Sequence, residues 1–244
     1  MSVPRRFGVT VPLGGLPLHE LKPWYEELAA LGYTDLWSAE AGGHEGLVPL
    51  ALAAAWTPTL RLGTAILPVY TRGAATLAEA TASMCQAAPG RFALGIGCSS
   101  PTIVENWNAV PFEKPYQRVR DTLRFLRAAL SGEKVTEEYE TFSVKGFRLG
   151  APVADIPPLL VAALRPGMLR PMWDAWNAGD RAAATEAIPD ELVDALVVHG
   201  SPADCRAHLA RYVENGVTTP APMILGSLDD TRDMIRALAP TRLG

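Results

Sequence analysis

The chain is 244 residues long, 48% hydrophobic and 20% charged, which is enough to bury a core and excludes a disordered polymer. That length suits one α/β barrel of about 250 residues as well as two small domains. A net charge of −4 with scattered arginines argues against nucleic acid as a partner, and three distant cysteines without zinc spacing argue against a disulfide scaffold or a metal site.

Along the chain, short apolar runs alternate with longer stretches of helical period, the pattern of βα units around a parallel sheet. Phe7 to Leu13 reads as a first strand, and Leu21, Trp24, Leu28 and Leu31 mark a helix that stops at Gly32. Thr34 to Trp37 is a second strand, followed by a glycine-rich loop and a helix from Val48 to Trp56. Leu60 to Val69 is the third strand, Ala74 to Ala87 its helix, and Arg91 to Gly97 the fourth strand. Tyr116, Val119, Leu123, Leu126 and Leu130 then repeat at helical spacing up to Gly132. Alternation between Lys134 and Leu149 predicts a β-hairpin, within an insertion near residues 133–150, and Leu159 to Ala163 a fifth parallel strand. Helices are expected over Met172 to Ala178, Asp180 to Ala187 and Asp190 to Val198. Ser201-Pro202-Ala203-Asp204 is a capping start for a further helix that ends at Gly216, and Ala221 to Leu225 reads as a closing strand.

The longest apolar run, Leu47 to Trp56, is about half the ~20 residues a membrane span needs. The N-terminal run lacks a signal-peptide cleavage site, so the sequence reads as cytosolic, without a membrane partner. The parallel strands number six, so a closed eight-fold barrel is two βα units short.

An α/β barrel delivers its chemistry from the C-terminal ends of its strands. After strand two stand Glu40 and His44, which suit acid–base work or, equally, a backbone acceptor and a surface imidazole. After strand three, Tyr70, Thr71 and Arg72 join an aromatic ring, a hydroxyl and a guanidinium. Arg72 suits either an anionic ligand or a salt bridge to a neighbouring helix. After strand four, Gly95-Ile96-Gly97-Cys98-Ser99-Ser100 offers small residues and hydroxyls for a phosphate or a ring edge, or simply a tight turn. Cys98 has no adjacent base and reads as a small buried residue.

Together, Leu62 to Arg72, Gly90 to Gly97, Pro111-Phe112 and Arg118 to Thr122 resemble the luciferase-like monooxygenase superfamily, and within it the coenzyme F420-dependent oxidoreductases of actinobacteria. The resemblance runs in order through nearly the whole chain. It implies one TIM-type (β/α)8 barrel domain over residues 1–244, with F420, or alternatively FMN, at its C-terminal mouth. It implies a bulge after strand three, often with a non-proline cis peptide, that supports the ring at Ala65-Ile66. Tyr70, Arg72, Gly97, Ser99 and Ser100 fall among the expected cofactor contacts, with Arg165 and Gly167 near the cofactor tail. Glu40 matches the acidic residue near the ring. Relatives often carry His beside it, where this chain has Ala41, so His44 is the substitute proton carrier. Hydride transfer to or from a small organic substrate is the implied reaction. An FMN-dependent monooxygenase and a non-catalytic, truncated flavin-binding member are the alternatives, and a homodimer is the implied assembly. Against full-length relatives, two βα units, on the order of ninety residues, are missing where Arg170 meets Pro171.

Overall fold

The computed structural model describes residues 6–151, 153–161, 170–188, 193 and 197–242. The chain forms two compact units, one of residues 1–162 with 221–244, the other of residues 163–220.

The first unit opens with β1 (Gly8–Thr10), α1 (Lys22–Ala30), β2 (Asp35–Ser38), α2 (Val48–Trp56), β3 (Arg61–Thr64), β4 (Leu67–Pro68), α3 (Ala74–Ala87) and β5 (Phe92–Gly97). A π-helical turn (Thr102–Trp107), α4 (Pro115–Leu130), the antiparallel pair β6 (Val135–Glu138) and β7 (Ser143–Phe147), and β8 (Leu159–Val161) follow. The strands β1, β2, β3, β5 and β8 lie side by side, all parallel, and β4 continues the path of β3 against β5.

Register explains the burial. Val9, Leu36, Leu62 and Phe92 are in line across four strands and all buried, as expected where helices cover a parallel sheet. The other face is shaped by one large residue: the indole of Trp37 lies across Gly8 and Gly63, and a Cβ on Gly8 would come within 2.7 Å of its Cδ1. Glycine inside these strands therefore marks close packing rather than a break.

The hairpin predicted near residues 133–150 is present and packs on α4, with Phe125 facing Phe142 and Phe147 at ring distances of 6.4 and 5.4 Å. The predicted third strand is interrupted at Ala65 and Ile66, which lie outside both β3 and β4.

The expectation of a closing strand over Ala221 to Leu225 is corrected. This segment is no strand, and one backbone bond, Thr10 N–H to the Pro222 carbonyl at 3.4 Å, ties it to β1. The cause is Pro220 and Pro222, which have no N–H to give to a ladder. Beyond it lies a helix that periodicity did not predict. In chain order it follows α5 (Arg170–Asn177), α6 (Arg181–Glu186) and α7 (Pro202–Glu214) of the second unit, and it is α8 (Leu228–Ala237). Ser227 caps it by accepting from the Asp230 N–H at 3.2 Å. Arg236 of α8 pairs with Glu27 of α1 at 2.7 Å, and the Tyr33 hydroxyl donates to the Ile235 carbonyl at 3.0 Å.

In the second unit, α5 includes both Arg170 and Pro171. Asp180 caps α6, and Ser201 with Asp204 forms the capping box predicted for α7. The helix expected over Asp190 to Val198 lies largely outside the described residues. Among the described residues no helix is long and apolar enough to cross a membrane.

Candidate functional site

The ends of β2, β3, β4 and β5 converge on a bulge. Gly63 pairs with Ala93 and Leu67 with Ile96, so three residues, Thr64 to Ile66, stand against two, Leu94 and Gly95. The Ala65–Ile66 peptide is cis, as the resemblance implies. Both sides hold it. Ala65 N–H donates to the Ser38 carbonyl at 2.6 Å, and Glu40 N–H to the Ile66 carbonyl at 3.3 Å. On the β5 side the Thr64 hydroxyl donates to the Gly95 carbonyl at 2.9 Å and accepts the Gly95 N–H at 2.8 Å. A Cβ on Gly95 would strike the Thr64 carbonyl oxygen, so this glycine seats the bulge. Within a buried run, Ala65 is exposed and Ile66 half-buried, and together they form an apolar shelf.

Gly97 is buried in the ladder, and its carbonyl accepts the Val69 N–H at 3.0 Å. Ser99 and Ser100 are half-buried beyond it; Ser99 has a left-handed backbone, φ +65°, and the Ser100 hydroxyl accepts from the Ile103 N–H at 3.4 Å at the start of the π-helical turn. Tyr70 is buried. Its hydroxyl donates to the Glu113 carbonyl, and its ring packs 5.2 Å from that of Phe112. Burial raises the pKa of this phenol.

Arg72 forms an ion pair, with the loop after β2 and not with a helix. Its terminal Nη2 bonds to carboxylate oxygens of both Glu40 and Glu45. Burial pulls the guanidinium's pKa down, and the hydrogen bonds and charges of Glu40 and Glu45 more than reverse it, so it stands above its ordinary value. Glu40 also accepts the Gly46 N–H at 3.1 Å. The second oxygen of Glu45 accepts Leu47 and Val48 N–H at 2.9 and 2.8 Å, serving the α2 N-terminus, where the N-cap residue Leu47 has no polar side chain of its own. Ion pair, loop and helix start are thus one braced assembly.

Among the described residues, two cavities open on the loop after β2. One, about 380 Å³, is lined by Glu40, Glu45, Thr71, Arg72, Trp107 and Asn108 among others. The other, about 620 Å³, has His44 in its lining together with Ala39 and Ala41. Glu40 and His44, four residues apart, therefore line different cavities, and no hydrogen bond joins them among the described residues. Thr71 Oγ1 and Arg72 Nε are buried without a hydrogen-bond partner among the described residues. Arg165 and Gly167 lie outside the described residues. No group of three or more His, Cys, Asp or Glu side chains able to hold a metal ion occurs among the described residues.

Sequence reasoning passed over Thr64, Glu45 and Trp107. Glu45, three residues before Val48, had the spacing of an N-terminal helix partner. Trp107 gave no local signal, because it meets Gly42, where a Cβ would come within 3.0 Å of its ring, only through the fold.

Among curated proteins, the chain is 32% identical over 102 residues to a putative coenzyme F420-dependent oxidoreductase of Mycobacterium tuberculosis, matching 42% of this chain and 29% of that protein. It thus spans less than a third of that relative's length. Among solved structures it resembles the coenzyme F420-dependent tetrahydromethanopterin reductase of Methanopyrus kandleri, at a TM-score of 0.75, 14% identity and coverage of 98% and 99% of the two chains. It also resembles the oxygenating constituent of 3,6-diketocamphane monooxygenase of Pseudomonas putida in complex with FMN, at 0.64, 13% and 97% of each chain. At these identities the structures speak for the fold. The family described as luciferase-like monooxygenase matches residues 1–175, and the chain belongs to it.

Proposed function

We propose that the chain binds coenzyme F420 at the C-terminal mouth of its parallel sheet and acts as an oxidoreductase, by hydride transfer between the deazaflavin and a small organic substrate. The bulge carries this reading. Ala65 and Ile66 offer an exposed apolar shelf on a backbone braced by Ser38, Glu40 and Gly95, which fits one face of a flat tricyclic ring. The name of the mycobacterial relative favours F420.

When bound, the cofactor supplies the hydride chemistry. The chain's residues then have separate tasks. Ala65 and Ile66 support the ring, and Gly97, Ser99 and Ser100 line its edge. Tyr70 anchors the connection from β5 to α4 through Glu113. Arg72 fixes the carboxylate of Glu40, whose own N–H is bonded to the bulge, so Glu40 presents a held acceptor beside the ring. His44, exposed on the rim of the other cavity, carries the proton. Arg165 and Gly167 take the cofactor tail.

The sheet itself is proposed as the first strands of a (β/α)8 barrel, with about two βα units absent at Arg170-Pro171. Leu160 and Val161 of β8 are 42% and 46% exposed, where a barrel strand is covered on both faces.

Titration with F420 and with FMN, read by cofactor fluorescence, tests the assignment. Saturable F420 binding, weakened at least about tenfold (about 1.4 kcal/mol) by Ile66→Glu, is expected. Binding of FMN alone, with oxygen consumption, would establish instead the monooxygenase reading that the FMN-bound neighbour favours. F420 binding without turnover of any substrate would mark a non-catalytic member.

A further inference from the structure

The loop after β2 separates two chemistries. Glu40 belongs to the smaller, charged cavity, whereas Ala39, Ala41, Gly43 and His44 line the larger one. At about 620 Å³ the larger cavity falls within the ~300–1,000 Å³ usual for small-molecule sites. Among the described residues, its lining contains no Asp, Glu, Lys or Arg. Leu13 beyond β1, Met223 and Leu225 before α8, and Ile235 within α8 contribute apolar surface, and among the described residues the polar side chains are those of Thr10, Thr231 and His44.

Met223 is 58% and Leu225 84% exposed, so the lip of this cavity presents large apolar side chains to water. The prolines at 220 and 222 keep the segment out of the sheet and leave those side chains uncommitted. Among the described residues, the one guanidinium that lines either cavity, Arg72, stands in the smaller one and is paired to two carboxylates. An anionic group entering the larger cavity would be desolvated without a partner among these lining side chains.

We propose that the larger cavity is the substrate site and that it selects an uncharged, largely apolar molecule with a single carbonyl or hydroxyl, hydrogen-bonded by His44. The proposal rests on the oxidoreductase reading for the word substrate, whereas the binding chemistry stands on the cavity alone.

Calorimetric titration of the full chain with 2-decanone, decane and glucose 6-phosphate tests it, alongside F420 titration of the same samples. The ketone is expected to bind saturably, more tightly than decane, and glucose 6-phosphate not at all. Leu225→Asp, at an exposed position that does not perturb folding, is expected to weaken the ketone at least about tenfold with F420 affinity unchanged. His44→Ala is expected to remove the advantage of the ketone over decane. Ketone affinity unchanged in Leu225→Asp, or tighter binding of glucose 6-phosphate, overturns the inference. Ketone binding that is sensitive to Leu225→Asp in a chain that fails to bind F420 upholds the cavity's chemistry and overturns the cofactor reading.

Discussion

The bulge depends on a hydrogen atom at Gly95. Its sequence context, at the end of strand four with a second glycine at 97, reads equally as a ligand loop or a tight turn, but the structure uses Gly95 to let the Thr64 carbonyl approach. Gly95→Ala is therefore expected to destabilise the protein by about 3 kcal/mol, the upper part of the usual overpacking range, in urea denaturation. Gly150→Ala, where an added Cβ meets nothing within 4 Å, is the control and should leave the midpoint unchanged. If the two variants unfold alike, the packing account of Gly95 is wrong. Arg72 shows the matching limit for charge. Its type was legible as a partner for an anion, but the anions proved to be Glu40 and Glu45, 32 and 27 residues earlier in the chain.

Elements are held to one another by a few polar contacts that repay burial. Asp121 of α4 has a fully buried side chain, accepts two bonds from Arg120 at 2.9 and 2.7 Å, and takes the Thr141 N–H and hydroxyl at 3.1 Å each. It thereby pins the hairpin to the helix. Burial pushes its carboxyl pKa up, but the Arg120 and Thr141 hydrogen bonds and the Arg120 charge outweigh that and hold it below the ordinary value. A carboxyl with a lowered folded pKa contributes stability above its unfolded pKa of ~3.9 and loses it as pH falls through the folded value. Asp121→Asn is accordingly expected to cost about 1–3 kcal/mol near neutral pH, with the gap to the wild type closing progressively below about pH 4. Urea titrations at the two pH values decide it, since a gap independent of pH would mean the carboxylate's charge is immaterial. The same scale holds the two misreadings of the C-terminal stretch. Apolar residues at 223–225 imitate a strand, while α8 escaped notice although Ser227 and Asp230 have capping spacing and Thr231, Ile235 and Leu238 are all buried at helical intervals.

For the molecule as a whole, we propose a homodimer formed through helices of the early βα units, as the family resemblance implies. Sedimentation at micromolar concentration should give twice the chain mass, and a monomer would refute it. The open flank of the sheet belongs to this scale too. β8 pairs with β5, and no strand pairs with its other edge among the described residues.

By itself the sequence determined the βα alternation, the parallel sheet, the hairpin, the α7 capping box and the family, because each rests on residues close together in the chain: a period, a cap, a run of motif. Through the family resemblance it also pointed to an irregularity of the backbone at Ala65-Ile66, which the structure contains. The tertiary structure alone decided that Arg72 braces two carboxylates, that Glu40 and His44 line different cavities, that Trp37 fills the space left by Gly8 and Gly63, and that the segment before α8 stays out of the sheet. These are relations between residues brought together from separate strands, and a pattern read along one strand has no term for what the next strand places against it.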